Sequence, residues 1–153
     1  MSADAATPQH WRIHCDGTAW PNPGRIGIGV VLQAPDGSIE QISQAAGSGC
    51  NNEAEARALI AALQAARARG AQQLCVYSDN SVLVEHVSGR AKTRIERLQR
   101  LFAEAQSLLA SFAGVELSWI PRHRNSAADT LARAALGLPA KPAGRPLSRR
   151  RGK

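Results

Sequence analysis

The chain has 153 residues, of which 44% are hydrophobic and 20% charged, and this length and composition are typical of a single globular domain. No run approaches the roughly 18 apolar residues that a membrane-spanning helix needs, and residues 1–10 lack the apolar core of a secretory signal. The three cysteines are odd in number and lack metal-ligand spacing, which favours reduced thiols over a disulfide scaffold. We therefore expect a cytoplasmic protein without a membrane partner.

The formal net charge of +7 is concentrated at one end of the chain. Residues 139–153 hold six of the 19 Lys and Arg residues and no acid, which leaves 13 Lys and Arg against 12 Asp and Glu elsewhere. A basic, proline-containing segment without an apolar pattern is typical of a disordered arm that is attracted to polyanions. We expect a disordered N-terminus at 1–10, one folded domain at 11–137 and a basic disordered tail at 138–153.

The first third of the chain predicts three consecutive strands. Apolar and polar residues alternate from Trp11 to Gly17, which predicts a strand with Asp16 at its last position. A β-branched run at 26–33 predicts a second strand, and a Pro-Asp-Gly turn separates it from a third at 38–46. The glycines at 47 and 49 are expected to end this antiparallel meander.

From Asn51 to Arg69 the apolar residues recur at helical spacing. The stripe includes Glu55 in the first turns of the predicted helix, so this carboxylate should face the sheet. Glu53 should point roughly 200° away, at about 100° per residue. A carboxylate on a buried face is costly without a compensating partner, and a metal ion beside Asp16 would be such a partner.

The second half of the chain predicts two strands and three helices. Residues 74–79 form a short apolar strand, at a crossover distance that allows it to lie parallel to the first strand. Residues 80–87 predict a short helix, and Thr93 with Glu96 predicts the capping box of a longer one. A strand at 114–120 and a helix at 126–136 follow. The core face of the longer helix should consist of Ile95, Leu98, Phe102, Ala105, Leu109 and Phe112.

These elements predict an α+β (or α/β) fold with a five-stranded mixed sheet, in which three antiparallel strands and further parallel strands are flanked by helices. Four acids lie at ends of predicted elements, where they could converge: Asp16, Glu55, Asp79 and Asp129. Clustered carboxylates repel one another unless cations hold them together, so the pattern indicates a metal site.

The motifs around these acids resemble type 1 ribonuclease H over about residues 11–137. They are Asp16-Gly17 with Asn22-Pro23-Gly24, Asn51-Asn52-x-Ala54-Glu55, Ser78-Asp79, and Trp119-x-Pro121-x-His123 followed by Asn125 and Ala128-Asp129. The chain passes directly from Gly89 to Ile95 and the next helix, without the basic protrusion of some bacterial members. It is therefore most similar to the compact, archaeal-like subgroup.

The resemblance implies hydrolysis of the RNA strand of RNA–DNA hybrids, leaving 5′-phosphate and 3′-hydroxyl ends. It implies two Mg²⁺ ions, or Mn²⁺ in their place, no organic cofactor, and a monomer that binds the hybrid. By the same resemblance the four acids are metal ligands, and His123 assists proton transfer or product release. The substrate contacts that it implies are Gly17, Asn22, Asn51, Asn52 and Ser78.

Two other functions are compatible with the same motifs. One is a catalytically silent nucleic-acid-binding module on the same fold, and the other is a metal nuclease that acts on another nucleic acid. The complete set of four acids favours catalysis, and the two asparagines at the predicted helix start favour a hybrid substrate. The chain departs from the family at Cys50, where Thr is usual, and at Asn80, where Ser is common. The segment from His123 to Asp129 is also short for the family. In the absence of the basic protrusion, either the basic cluster at 90–100 or the tail should bind the substrate.

Overall fold

The computed structural model describes residues 10–141, so the predicted disorder of residues 1–9 and of 142–153 lies outside the described residues. Within the described part, no helix is both long enough and apolar enough to cross a lipid bilayer. The strands are β1 (His10–Trp20), β2 (Gly24–Gln33), β3 (Ile39–Gly49), β4 (Gln73–Ser78) and β5 (Gly114–Trp119). The helices are α1 (Asn51–Ala68), α2 (Ser81–Val87), α3 (Glu96–Ala110) and α4 (Ser126–Ala134), with a 3₁₀ turn at Arg122–Arg124.

The five strands form one mixed sheet in the order β3-β2-β1-β4-β5. The first three strands pair antiparallel, whereas β4 pairs in parallel with both β1 and β5. The predicted five-stranded mixed sheet flanked by helices is therefore confirmed. The central strand β1 has one antiparallel and one parallel neighbour, and this difference positions the site described below.

The main core lies between the sheet and α1, with α3 packed behind α1. Ile13, Val30 and Val76 project from three adjacent strands towards Leu59 and Leu63 of α1, and all five side chains are fully buried. The remaining contact positions of α1 are mostly alanines, so the helix axis lies close to the strands. Of the described helices, α4 alone packs on the opposite face, against β1, β2 and β3.

The close approach of α4 depends on glycines in β2. A Cβ atom on Gly29 would lie 2.2 Å from the carbonyl oxygen of Ala128, and one on Gly27 would lie 2.3 Å from that of Ala132. Both distances are far below van der Waals contact. At the edge of the sheet, α4 is also bonded to β3. The hydroxyl of Ser43 on β3 donates a 2.6 Å hydrogen bond to the carbonyl of Leu131 on α4.

Two predicted strand ends were wrong. The strand β1 does not end at Asp16 but continues to Trp20, because its antiparallel pairing with β2 persists as far as Trp20 and Arg25. The strand β3 likewise runs through the predicted breakers to Gly49. Its register against β2 shifts beside Arg25 and Gly27, and Gly47 adopts a φ of +82°, which glycine tolerates without a steric penalty.

The predicted capping box of α3 was also wrong. The helix begins at Glu96 with Ile95 at the N-cap, because the Thr93 hydroxyl accepts a hydrogen bond from the Ile95 amide and forms a local turn instead. This turn also leaves Ile95 44% exposed rather than in the core. The rest of the predicted apolar face holds, with Leu98, Phe102, Ala105 and Phe112 buried and Leu109 packed against the core.

Gly29→Ala should destabilise the fold by about 1–3 kcal/mol, because the new methyl group meets rigid backbone of α4 and forces it away from the sheet. Urea denaturation gives the change in the free energy of unfolding. Gly114→Ala is the matched control, since the atoms nearest to its methyl group would belong to the side-chain amide of Gln73, which can rotate away. Equal destabilisation by both substitutions would show that the glycine is not what allows α4 to approach.

Candidate active site

A cleft opens where β1 and β4 separate. Their parallel pairing runs from His10 and Gln73 to His14 and Tyr77 and stops there. Beyond this point β1 pairs with β2 alone. Asp16 is the next side chain on the same face of the sheet as His14, and it therefore has no neighbour on β4. Asp79 follows the last residue of β4, and the two carboxylates therefore project into the same gap.

The first turn of α1 adds a third carboxylate to this cleft. Asp16, Glu55 and Asp79 each offer a carboxylate oxygen, and these oxygens lie within 4.8 Å of one another. The Gly17 amide donates a 3.2 Å hydrogen bond to Oε1 of Glu55. The absence of a side chain on Gly17 is required here, because a Cβ atom would lie 2.1 Å from the carbonyl oxygen of Ala54.

The electrostatics of this cluster oppose ionisation. Burial, together with the charges of Glu55 and Asp79, raises the pKa of Asp16 to about 10. Burial and the charge of Asp79 raise the pKa of Glu55 to about 7, although hydrogen bonds from Gly17 and Asn80 partly counteract the rise. The cluster is thus held together by the fold against its own charge, and a cation would relieve that cost.

The donor set fits a hard divalent cation. The cluster supplies only carboxylate oxygens, the ligands that Mg²⁺ and Mn²⁺ take in proteins, and no His or Cys belongs to it among the described residues. Asp16, Glu55 and Asp79 are the residues that would hold such an ion. Which ion occupies the site depends on coordination number and rigidity.

Asp129 lines the same cleft from α4 but does not belong to the cluster of three. Its Oδ1 lies 3.7 Å from Nζ of Lys141. Arg122 and Lys141 also line the cleft, and Arg133 fixes the intervening chain by donating a 2.7 Å hydrogen bond to the carbonyl of Pro139. The first residues of the predicted tail therefore run back along α4 to the acids.

Asn125 is a component of the site to which sequence reasoning assigned no role. Its side chain is 1% exposed, and Nδ2 donates to the carbonyl of Cys15 at 2.9 Å and to Oδ2 of Asp79 at 3.0 Å. It thereby joins β1, the end of β4 and the start of α4 and orients the Asp79 carboxylate. Its place in the final sequence motif was the only available signal.

The predicted substrate contacts are divided between the cleft and its supports. Gly17 and Asn51 line the cleft together with Thr18. The Oδ1 atom of Asn51 accepts from the Ala19 amide at 2.8 Å, and Asn22 accepts from the Asn51 amide at 3.0 Å, so these residues brace the β1–β2 loop against α1. Asn52 is half-buried and lies outside the lining of the cleft.

Ser78 and His123 lie away from the lining of the cleft. Ser78 is fully buried, and its hydroxyl accepts from the Asn80 amide at 3.1 Å, which supports the turn that carries Asp79. His123 is exposed on the 3₁₀ turn, next to Arg122, which does line the cleft. His14 packs against Tyr77, with ring centroids 4.9 Å apart.

Glu53, the other glutamate near the start of α1, faces α3 rather than the acids. Glu53 accepts a 2.9 Å hydrogen bond from the Cys50 amide and a 3.1 Å hydrogen bond from Arg97, and it is only 7% exposed. These two donors lower its pKa, although burial opposes them. Glu55 therefore lies beside Asp16 and Glu53 does not, as the helical phase predicts.

The fold and the site together define a protein of the ribonuclease H-like class with a candidate metal centre. A family model described as "Reverse transcriptase-like" matches residues 14–135. Ribonuclease HI of Halobacterium salinarum is 35% identical over 128 residues, which cover 82% of this chain and 64% of that protein. The bifunctional protein Rv2228c of Mycobacterium tuberculosis is 39% identical over 133 residues, which cover 86% of this chain but 36% of that protein.

Solved structures show the same relationship. The crystal structure of RNase H1 from H. salinarum superimposes with a TM-score of 0.81 at 33% identity, over 84% of this chain and 98% of that one. LC11-RNase H1 in complex with an RNA/DNA hybrid gives a TM-score of 0.76 at 30% identity, over 83% of this chain and 96% of that one. The chain belongs to the type 1 ribonuclease H family, and the predicted family is thereby confirmed.

The raised carboxyl pKa values predict how stability depends on pH. The folded, metal-free protein holds these protons more tightly than the unfolded chain, so this stabilisation is complete in acid. It is lost as the pH rises through about 7 for Glu55 and about 10 for Asp16. The melting temperature without metal should therefore fall from about pH 6 to about pH 9, and saturating Mg²⁺ should raise it more at the higher pH.

The control for this prediction is Asp16→Asn, which removes the most strongly shifted carboxylate. The variant should melt higher than the wild type in alkaline, metal-free buffer, with a flatter pH dependence, and should gain less from Mg²⁺. The difference between the two proteins cancels the titration of histidines, which both share. Parallel melting curves for the two proteins would contradict the assigned repulsion.

Proposed function

We propose that this protein hydrolyses the RNA strand of RNA–DNA hybrids in a reaction that depends on two divalent cations and leaves 5′-phosphate and 3′-hydroxyl ends. The observation that carries the proposal is the set of three carboxylates, from β1, α1 and the end of β4, whose oxygens lie within 4.8 Å in a partly open cleft. A site of this composition is costly to maintain unless cations bind there.

Family relatives support the same chemistry and substrate. The relatives include proteins named as ribonuclease H, and one structural neighbour is in complex with an RNA/DNA hybrid. When bound between clustered carboxylates, two divalent ions supply an activated water and stabilise the leaving oxygen of an in-line displacement. The four acids Asp16, Glu55, Asp79 and Asp129 are the ligands we assign to them.

The other residues of the cleft have positioning and recognition roles in this proposal. Asn125 keeps the Asp79 carboxylate in one orientation through its Nδ2 hydrogen bond. The Gly17 amide does the same for Glu55. Thr18 and the amide of Asn51 lie on the lining of the cleft, where they can donate to and accept from the 2′-hydroxyl groups that distinguish RNA from DNA.

His123 is proposed to assist proton transfer or product release from the rim of the cleft. It is exposed on the 3₁₀ turn that also carries Arg122, so a bound strand can approach it without any rearrangement of the core. A group in this position contributes to the rate but does not hold the cations, and its role is therefore secondary to that of the acids.

The proposal is tested by incubating labelled RNA–DNA, RNA–RNA and DNA–DNA duplexes with the protein in Mg²⁺, Mn²⁺ or EDTA. Only the RNA strand of the hybrid should be cut, and EDTA should abolish cleavage. Asp79→Asn should reduce turnover by more than the ~10–100-fold that partners of metal ligands contribute, with circular dichroism unchanged. Hybrid binding without cleavage would identify a silent binding module, and near-wild-type turnover of Asp79→Asn at saturating Mg²⁺ would overturn the proposal.

The two glutamates of α1 provide a matched pair. Glu55→Gln should lower cleavage about 100-fold or more, since it removes a charged ligand. Glu53→Gln should leave cleavage near the wild-type rate, because glutamine still accepts from the Cys50 amide and its lost pairing with the largely exposed Arg97 is worth at most about 1 kcal/mol. Cleavage rates and urea midpoints measured on both variants separate chemistry from stability. Equal losses of activity would refute the assignment.

The basic tail should affect affinity rather than the chemical step. Deleting residues 142–153 removes five cations and retains Lys141 and its contact with Asp129. We expect a higher KM for hybrid and a salt dependence that is flatter by about 0.7–0.9 log units per lost phosphate contact, with kcat unchanged. A full-length variant with glutamine at the five positions is the control for chain length. An unchanged salt slope with a reduced kcat would contradict the prediction.

A further inference from the structure

A second cavity lies on the α4 face of the sheet, between β1 and the N-terminus of α4, and we call it the β1–α4 cavity. Its volume is about 220 Å³, and its polar lining includes Arg12, His14, Arg124, Asn125 and Ser126. It does not share its lining with the carboxylate cleft, from which Asn125 separates it. Nothing in the proposed hydrolysis requires this cavity.

The charge of the cavity is positive. Arg12 approaches it from β1 and Arg124 from the 3₁₀ turn, and both side chains are exposed. No Asp or Glu belongs to its lining among residues 10–141. The apolar remainder of the lining, from Val31 and Ile39, lowers the local dielectric constant and strengthens the field of the two guanidinium groups.

The first turn of α4 adds backbone donors to this field. The helix has nine residues, and within the described chain no side chain caps its first amides. The N-cap residue Asn125 uses its amide nitrogen for Cys15 and Asp79 instead. The amides of residues 126–128 therefore stand at the positive end of the helix dipole, and these three residues line the cavity.

A buried acceptor at the same place shows that an anion alone is not sufficient. Asn125 is only 1% exposed, and its buried Oδ1 atom has no hydrogen-bond partner among the described residues. An unsatisfied buried acceptor costs about 1–3 kcal/mol. The group that completes this cavity should therefore bring a hydroxyl donor next to its negative charge.

We propose that the β1–α4 cavity binds a phosphate group together with the ribose hydroxyl beside it. The phosphate contacts Arg12, Arg124 and the first amides of α4, and the hydroxyl donates to Oδ1 of Asn125. A strand of RNA and a free ribonucleoside 3′-phosphate both present this combination through the 2′-hydroxyl, which DNA lacks. The RNA strand of the substrate is the expected source, because Nδ2 of the same Asn125 side chain donates to Asp79 in the carboxylate cleft. In that form the proposal rests on the proposed function.

The first experiment measures binding without catalysis. Inorganic phosphate, a ribonucleoside 3′-monophosphate and its 2′-deoxy analogue are titrated separately into ¹⁵N-labelled, metal-free protein in a low-salt buffer without phosphate. The amide resonances of residues 126–128 should shift saturably, with tighter binding of the ribonucleotide than of the deoxy analogue. Because the protein contains no metal, binding of phosphate through a cation at the carboxylate cleft does not contribute.

Charge variants assign the binding to the cavity. Arg12→Gln and Arg124→Gln should each weaken binding about tenfold, the loss typical of a charge-assisted hydrogen bond. Arg67→Gln removes the same charge from an exposed position on α1 and should leave the affinity unchanged. Ala127→Glu should abolish binding by placing a carboxylate at the helix N-terminus, where an acid is favourable for the helix and the fold should persist.

Cleavage kinetics then distinguish the two sources of the phosphate. If the substrate strand occupies the cavity, Arg12→Gln and Arg124→Gln raise KM for long hybrids, leave kcat unchanged and have no effect on hybrids too short to reach the cavity. If a free ribonucleotide occupies it, KM is unchanged while the amide shifts persist in the wild type. The absence of saturable shifts with every probe overturns the proposal, and since the shifts need no cleavage, this failure is distinct from failure of the nuclease activity.

Discussion

The mutual repulsion of Asp16, Glu55 and Asp79 is the constraint on which the arrangement of this structure depends. Three carboxylates within 4.8 Å repel one another strongly without a counter-charge, and the raised pKa values of Asp16 and Glu55 reflect that cost together with burial. The packing of α1 against the sheet supplies the stability that offsets this cost. A cation bound to these oxygens would offset part of that cost, because it would supply the missing counter-charge.

Several features of the fold hold the acids in place against this repulsion. The parallel register of β1 with β4 ends before Asp16 and thereby opens the cleft. Gly17 allows the first turn of α1 to touch β1, and its amide fixes Glu55. Asn125 anchors Asp79 from the start of α4, which is itself brought to the sheet by the glycines of β2. The strand register and Gly17 act through the backbone and Asn125 acts through its side-chain amide, and a small displacement of any of them would move a carboxylate.

Much of the fold and part of the site followed from local patterns. The helical phase of α1 distinguishes Glu55 from Glu53 because position on a helix is a matter of angle alone, at about 100° per residue. The strand-and-turn signals located all five strands. The failures were at ends of elements: β1 continues past Asp16 because β2 keeps pairing with it, and α3 starts late because Thr93 bonds to the Ile95 amide. Ends depend on neighbours that local patterns do not contain.

The amino-acid sequence by itself determined which residue types stand at each element: an acid within β1 and one directly after β4, an acid on the inner stripe of α1, and asparagines at the starts of α1, α2 and α4. Only the tertiary structure decided which of them meet. Asn125 became a link between β1, β4 and α4, Ser78 became a buried support for the Asp79 turn, and Lys141 came to lie beside Asp129. The Ser78 hydroxyl bonds an amide only two residues further on. The two Asn125 pairings, in contrast, join residues 46 and 110 positions apart, and they arise from packing distances that no local periodicity encodes.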